Sequence, residues 1–135
     1  MTASTVVAGP GFRAGRPADA ARVAADLLDL LGIAGSHVYV TVPPRSDPPT
    51  ADLHVSHGNE WRRLTELLTC AAVLDRTLTA DRYRNGTETE VKAVWTRDGV
   101  TVQLWALFKD PEVLAATAWA GLAPGESSGV LDDAA

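Results

Sequence analysis

One cysteine, one methionine, two phenylalanines and two lysines are all that 135 residues contain of those types. The single thiol, Cys70, excludes an intramolecular disulfide and fits a reducing compartment, so a cytoplasmic location is expected. No apolar run approaches the roughly 20 residues that cross a bilayer, and no membrane partner is expected. The opening MTASTVVAGPGFRAG has no positive charge ahead of its short apolar patch and does not read as a secretory leader. Basic charge is scarce as well: 12 Lys and Arg stand against 17 Asp and Glu, for a net charge of −5. Residues 1–17 carry +2 and those from Gly121 onward carry −3, which leaves −4 for the body. An acidic body works against binding a phosphate backbone, which needs a basic footprint.

Motifs of catalysis and ligation are also sparse. GPG at residues 9–11 is too short and wrongly placed for a phosphate loop, and no serine sits in a nucleophile elbow. Cys70 lies in Leu-Leu-Thr-Cys-Ala-Ala with no cation or histidine three or four residues away to activate it, so it reads as a small core filler. His54 and His57 fall on opposite faces of one extended segment and cannot chelate together. Glu60 beside His57 would make only a two-ligand site. No metal or other cofactor is expected.

What is present is a domain of ordinary globular composition, 46% hydrophobic and 21% charged, long enough to bury a core. Residues 1–16 read as a flexible N-terminal arm, 17–120 as one α+β domain, and 121–135 as a disordered acidic tail. A first helix starts at Pro17, with Ala20, Val23, Ala24, Leu27, Leu28 and Leu31 at helical spacing and Gly32 as its stop. Residues 37–42 and 52–57 alternate as strands, joined by the stiff segment PPRSDPPT, which holds four of the eight prolines. Asn59 caps a second helix, with Trp61, Leu64, Leu67, Leu68, Ala71, Leu74 and Leu78 as its apolar stripe. That spacing predicts a helix to about Arg76 or Thr79, then a loop over 80–86; the turn dipeptide Asn85-Gly86 offers the alternative of a short extra strand over Thr77–Tyr83.

The clearest signal is a hairpin over Thr87–Phe108, turned at Asp98-Gly99, where both residues tolerate positive φ. Pairing outward sets Trp95 against Val102, Ala93 against Leu104 and Val91 against Ala106 on an apolar face. On the other face Thr96 meets Thr101, Val94 meets Gln103, and Lys92 meets Trp105. Asp110-Pro111-Glu112 then starts a third helix of about 111–120.

The order is two αββ units plus a C-terminal helix. A two-layer sandwich with a four-stranded antiparallel sheet, permuted relative to a ferredoxin-like sheet, would bury every stripe. Strands 52–57 and 99–108 would then be central. The sheet face away from the helices would collect His37, Tyr39, Thr41, Asp52, His54, Ser56, Lys92, Val94, Gln103, Trp105 and Leu107.

Trp105 and Leu107 are costly to leave wet, at about 25 cal/mol per Å² of apolar surface. Either helix 3 or the arm covers them, or a homodimer or protein partner does, or a ligand. The expected function is binding or self-association through Tyr39, His54, Lys92, Gln103, Trp105 and Leu107, without catalysis. An alternative makes His54 and Asp52, with His37 or Tyr39, the acid–base groups of a small hydrolase- or isomerase-like enzyme. A third makes Tyr39 and Trp105 a stacking platform for RNA or DNA.

Overall fold

A computed structural model describes residues 16–83, 86–119 and 123–124. Asp98 and Gly99 turn the chain with φ of 52° and 78°, and the hairpin register grows from that turn. Trp95 pairs with Val102, Ala93 with Leu104, Val94 with Gln103 and Lys92 with Trp105, as the alternation predicts. The elements in order are α1 (Pro17–Leu31), a short 3-10 turn (Gly32–Gly35), β1 (Val38–Thr41), β2 (Thr50–Val55), α2 (Glu60–Val73), β3 (Thr79–Arg82), β4 (Thr89–Arg97), β5 (Val100–Phe108), α3 (Pro111–Trp119) and the two-residue β6 (Ala123–Pro124).

The strands form one open sheet in the order β1-β2-β5-β4-β3-β6. It is mixed, with five strands besides β6, where four antiparallel strands were expected. The central pair β2–β5 is parallel, with Leu53 opposite Leu104 and His54 opposite Trp105. The chain leaves β2 through α2, then builds β3 and β4 before β5 returns beside β2. That long crossover is what a parallel neighbour requires.

Residues 79–82 are a strand, the alternative to the helix end and loop that helical spacing favoured. Leu74 caps α2, and Asp75 adopts φ of 55°. The Asp75 amide donates to the Ala72 carbonyl at 3.2 Å, and the Arg76 amide to the Ala71 carbonyl at 2.8 Å. This is a Schellman closure with Asp where Gly is usual. Leu78 then turns into the core, and Thr79–Arg82 supply the ladder that β4 would otherwise lack on that side.

Helices α1 and α2 lie over one face of the sheet. Ala20, Val23, Ala24, Leu27 and Leu31 of α1 join Leu64, Leu67, Cys70 and Ala71 of α2 in one core with Leu53, Val55, Val91, Leu104 and Phe108. Alternate residues of β5, from Val100 to Phe108, are all fully buried. Complete burial of each large aliphatic side chain contributes about 1.5–3 kcal/mol. Val113 carries α3 into the same core, where it packs beside α2. Cys70 is a buried filler, its thiol donating to the Ala34 carbonyl at 3.2 Å. Burial, with Glu66 adding to it, pushes that thiol up to about 11.

The apolar stripe of α2 omits Trp61, which is exposed. The first turn presents Glu60 and Arg63 to the sheet instead, and Trp61 lies about 100° around the helix from Glu60. The Glu60 carboxylate accepts the Lys109 amide at 3.0 and 3.1 Å and the Asp110 amide at 2.9 Å. It therefore holds the passage from β5 to α3 and takes no part in a site with His57. Arg63 donates to the Leu107 carbonyl at 2.8 Å. The proline-rich connection is tied to the sheet, since the buried Pro49 accepts the Thr101 amide at 2.9 Å. The expected arm over 1–16 and tail over 121–135 lie outside the described residues, apart from Arg16 at the start of α1 and the pair in β6.

Charged hydrogen bonds of this kind contribute about 1.5–3 kcal/mol when protected from water. Glu60 is half-buried, so Glu60→Ala is expected to lower unfolding stability by about 1–2 kcal/mol. Urea denaturation followed by circular dichroism measures this; a change below a few tenths would show that the two amides do not depend on Glu60.

Candidate functional site

All three helices send their buried side chains into the single core, so among the described residues none lies across the opposite sheet face. Register assembles that face in rows. Tyr39 of β1 sits opposite His54 of β2, His54 opposite Trp105 of β5, Trp105 opposite Lys92 of β4, and Lys92 opposite Thr79 of β3. A parallel row runs Thr41, Asp52, Gln103, Val94. Leu107, Glu90 and Asp81 form a third. Because side chains alternate across a strand, each row projects to the same side.

Trp105 organises the centre. Its indole N–H donates to Asp52 Oδ1 at 2.9 Å. The His54 imidazole stacks on the indole, with ring centroids 3.8 Å apart and planes 3° from parallel. Asp52 and His54 are two apart on β2, so both reach the same neighbour on β5. Desolvation by this packing holds the His54 pKa below its ordinary value, assisted by Arg63 and opposed by the charges of Asp52 and Glu90. At neutral pH the imidazole is therefore uncharged. Lys92 turns along its own strand to Glu90, Nζ to Oε1 at 3.2 Å. A cleft of about 390 Å³ lies beside them, lined by Arg82, Tyr83, Glu90, Lys92, Gln103 and Trp105. Tyr39 and Val94, at 69% and 52% exposure, flank the stacked pair on either side.

These contacts bear on the acid–base alternative. In the triad arrangement a carboxylate orients the imidazole of a histidine base. Here Asp52 Oδ1 accepts from the Trp105 indole, and His54 stacks on that indole. His37 does not join this group. It lies just before β1, with Nδ1 3.3 Å from Glu66 Oε2 of α2, and its ring stacks on His57 at 4.1 Å and 5°. Sequence reasoning missed the His37–His57 pair. Alternation gave no signal for it: with Val38 opposite Val55, positions 37 and 57 fall on opposite faces of an ideal ladder, and the two rings meet only beyond the ends of the strands. A second cleft of about 400 Å³ opens at this corner, lined by Ser36, His37, Val38, Tyr39, Ser56, His57 and Gly58. Among the described residues no three His, Cys, Asp or Glu are grouped to hold a metal ion, and no helix is long and apolar enough to cross a membrane.

The lowered His54 pKa makes stability depend on pH. An unfolded chain takes up this proton near its ordinary value of 6.5, while the folded chain resists it to lower pH. His54 therefore favours folding fully above pH 6.5, and that contribution is lost as pH falls through the folded-state value. Urea midpoints measured between pH 8 and pH 4 are expected to fall below pH 6.5, and His54→Gln is expected to flatten that part of the profile. An unchanged profile in the variant would contradict the assignment.

Comparison of the chain with family models, with curated proteins and with solved structures finds no match in any of the three.

Proposed function

We propose that this chain is a small cytosolic binding domain that associates with a second copy of itself through the open sheet face. The observation that carries this reading is the pairing of the face's central charges within the chain. Asp52 is engaged by the Trp105 indole and Lys92 by Glu90. A face whose charges are already paired offers little to a phosphate or a free cation. It can meet a copy of itself without leaving those two groups buried and unpartnered, which is the usual obstacle to such contacts.

Size supports the same reading. Strands about 4.8 Å apart, with rows about 3.3 Å per residue, give five strands a face of roughly 500 Å² in projection. Projection understates accessible area, and a standard interface takes about 800 Å² from each partner. The stacked His54 and Trp105 supply a rigid aromatic centre, and Tyr39, Val94 and Leu107 supply apolar surface around it. Rigid side chains lose little entropy on docking. Gln103 adds an uncharged hydrogen-bonding group within the same patch.

In the same proposal the four strands β1, β2, β5 and β4 act as a permuted ferredoxin-like core, with β3 as an added edge strand. The strand order β1-β2-β5-β4 supports that description, while the parallel direction of the β2–β5 pair departs from the all-antiparallel pattern of such a sheet.

Light scattering on the purified 14.2 kDa chain tests the reading. The wild type is expected at a multiple of the chain mass. Val94→Glu, at an exposed position of β4, is expected to halve the molar mass with an unchanged circular dichroism spectrum. A wild type that runs as a monomer at 100 µM, or a Val94→Glu variant that keeps the wild-type mass, would sink the proposal.

A further inference from the structure

Two imidazoles and a carboxylate meet at the corner where the chain enters β1 and leaves β2. Glu66, on the second turn of α2, sends Oε2 to 3.3 Å from His37 Nδ1 and 3.5 Å from Arg62 Nε. Gly58 makes room for this arrangement. It takes φ of 78°, and a Cβ there would stand 2.7 Å from Arg62 Cδ, so only glycine lets the arginine stem pack against the backbone. His57 lies flat on His37, with centroids 4.1 Å apart and planes 5° from parallel, which fixes the plane of the His37 ring. The second carboxylate oxygen, Glu66 Oε1, is buried with no hydrogen-bond partner among the described residues. Such a group costs stability, and proteins keep costs of this kind chiefly at functional sites.

A carboxylate at Nδ1 sets the tautomer of a neutral imidazole: the proton sits on Nδ1, and Nε2 across the ring keeps its lone pair. A separation of 3.3 Å is within the looser range of such pairs before a substrate binds. The His37 ring lines the cleft of about 400 Å³ and Glu66 does not, so Nε2 is the nitrogen left for the cleft. That volume falls among small-molecule sites, roughly 300–1,000 Å³. Among the described residues no Asp, Glu, Lys or Arg lines it, which suits an uncharged ligand. Ser36 and Ser56 bring hydroxyls that can donate to a carbonyl oxygen, and Val38 and Tyr39 add apolar surface. Gly58 leads from the cleft into α2, so the positive end of that helix dipole lies beside it.

We propose that His37 is the general base of a site that hydrolyses small uncharged esters, with Glu66 as its positioning residue. Nε2 takes a proton from water while the water oxygen bonds to the ester carbonyl carbon, and the C=O π pair moves onto its oxygen. When that pair returns, the bond between the acyl carbon and the alkoxy oxygen breaks. The imidazolium then passes its proton to the leaving oxygen. An acid and an alcohol depart, and the imidazole is as it began. The site stands apart from the Asp52, Trp105 and His54 group and does not depend on association through the open face. Asp52 turns to an indole, whereas Glu66 turns to an imidazole nitrogen.

Hydrolysis of p-nitrophenyl acetate by the purified chain tests this, with free imidazole as the reference. The wild type is expected to saturate with ester and to exceed the rate that its three histidines would give as free imidazole. His37→Gln is expected to lose about 100-fold in kcat/KM, the ordinary worth of a general base, with an unchanged circular dichroism spectrum. Glu66→Leu is expected to lower kcat about tenfold with little change in KM. Long-range proton–nitrogen NMR correlations are expected to show the neutral His37 ring protonated on Nδ1 in the wild type and shifted toward Nε2 in Glu66→Leu. A wild type no faster than the imidazole reference, a His37→Gln variant as active as the wild type, or a Glu66→Leu variant with the wild-type kcat would overturn the assignment. So would a wild-type His37 ring that carries its proton on Nε2.

Discussion

The parallel ladder between β2 and β5 decides both sides of this molecule at once. It joins residues about fifty positions apart, and in one register sets Leu53 against Leu104 beneath the helices and His54 against Trp105 on the opposite face. Side chains alternate with a period of two, so a slip of one residue would exchange the two sets. It would lift Leu53 out of a core where it is fully buried and press His54 and Asp52 beneath α1 and α2. Burying an unpaired carboxylate costs several kcal/mol, while each exposed leucine forfeits about 1.5–3 kcal/mol. The core therefore specifies the open face, and what that face displays follows from what the core rejects.

On the rejected side, polar groups find one another. Trp105 could not stay on the surface with its indole N–H idle and its rings wet. Asp52 takes the N–H and His54 covers one ring face. The arrangement ties Asp52 and His54 to the indole and leaves a flat aromatic centre. The same pattern recurs in α2. Asn59 caps the helix by accepting the Arg62 amide, Glu60 gathers the amides of Lys109 and Asp110, and Arg63 reaches the Leu107 carbonyl. One turn of helix thus closes the sheet at the point where β5 ends. The histidine corner at His37 and His57 is tied to this helix through Glu66.

How much of this was legible depends on distance along the chain. The β4–β5 hairpin could be read residue by residue because Asp98-Gly99 is a local signal and register follows from it. Caps at Asn59 and Asp110 were equally local. The parallel β2–β5 pair was not legible as such. Alternation in 52–57 and in 99–108 shows two strands suited to the centre, yet nothing in either states their relative direction. β3 was legible only as the second choice, because helix-compatible residues ran on past Val73 and the stop came from Asp75 in a left-handed conformation where glycine is the expected signal. Alternation alone set Tyr39, Asp52, His54, Lys92, Gln103 and Trp105 in shared rows, whereas His37, expected among them, packs with His57 and Glu66. The partners within those rows were not legible, since an Asp52 beside a His54 suggests a dyad until Trp105 is known to lie between them.

What remains available at the surface follows from these engagements. Side chains with strong chemistry in the described fold are largely committed within the chain: Asp52 to an indole, Glu60 to amides, Lys92 to Glu90, and Cys70 buried with its thiol raised to about 11. On the open face and along β1 the uncovered apolar groups are Tyr39 and Val94, with Val38 and Val40 partly covered. Removing such groups from water is favourable at about 25 cal/mol per Å² of apolar surface. The two uncovered regions meet at Tyr39, which belongs to the outer strand and to the central row together. A contact that buried this side chain from either direction would also cover surface on the other side of it.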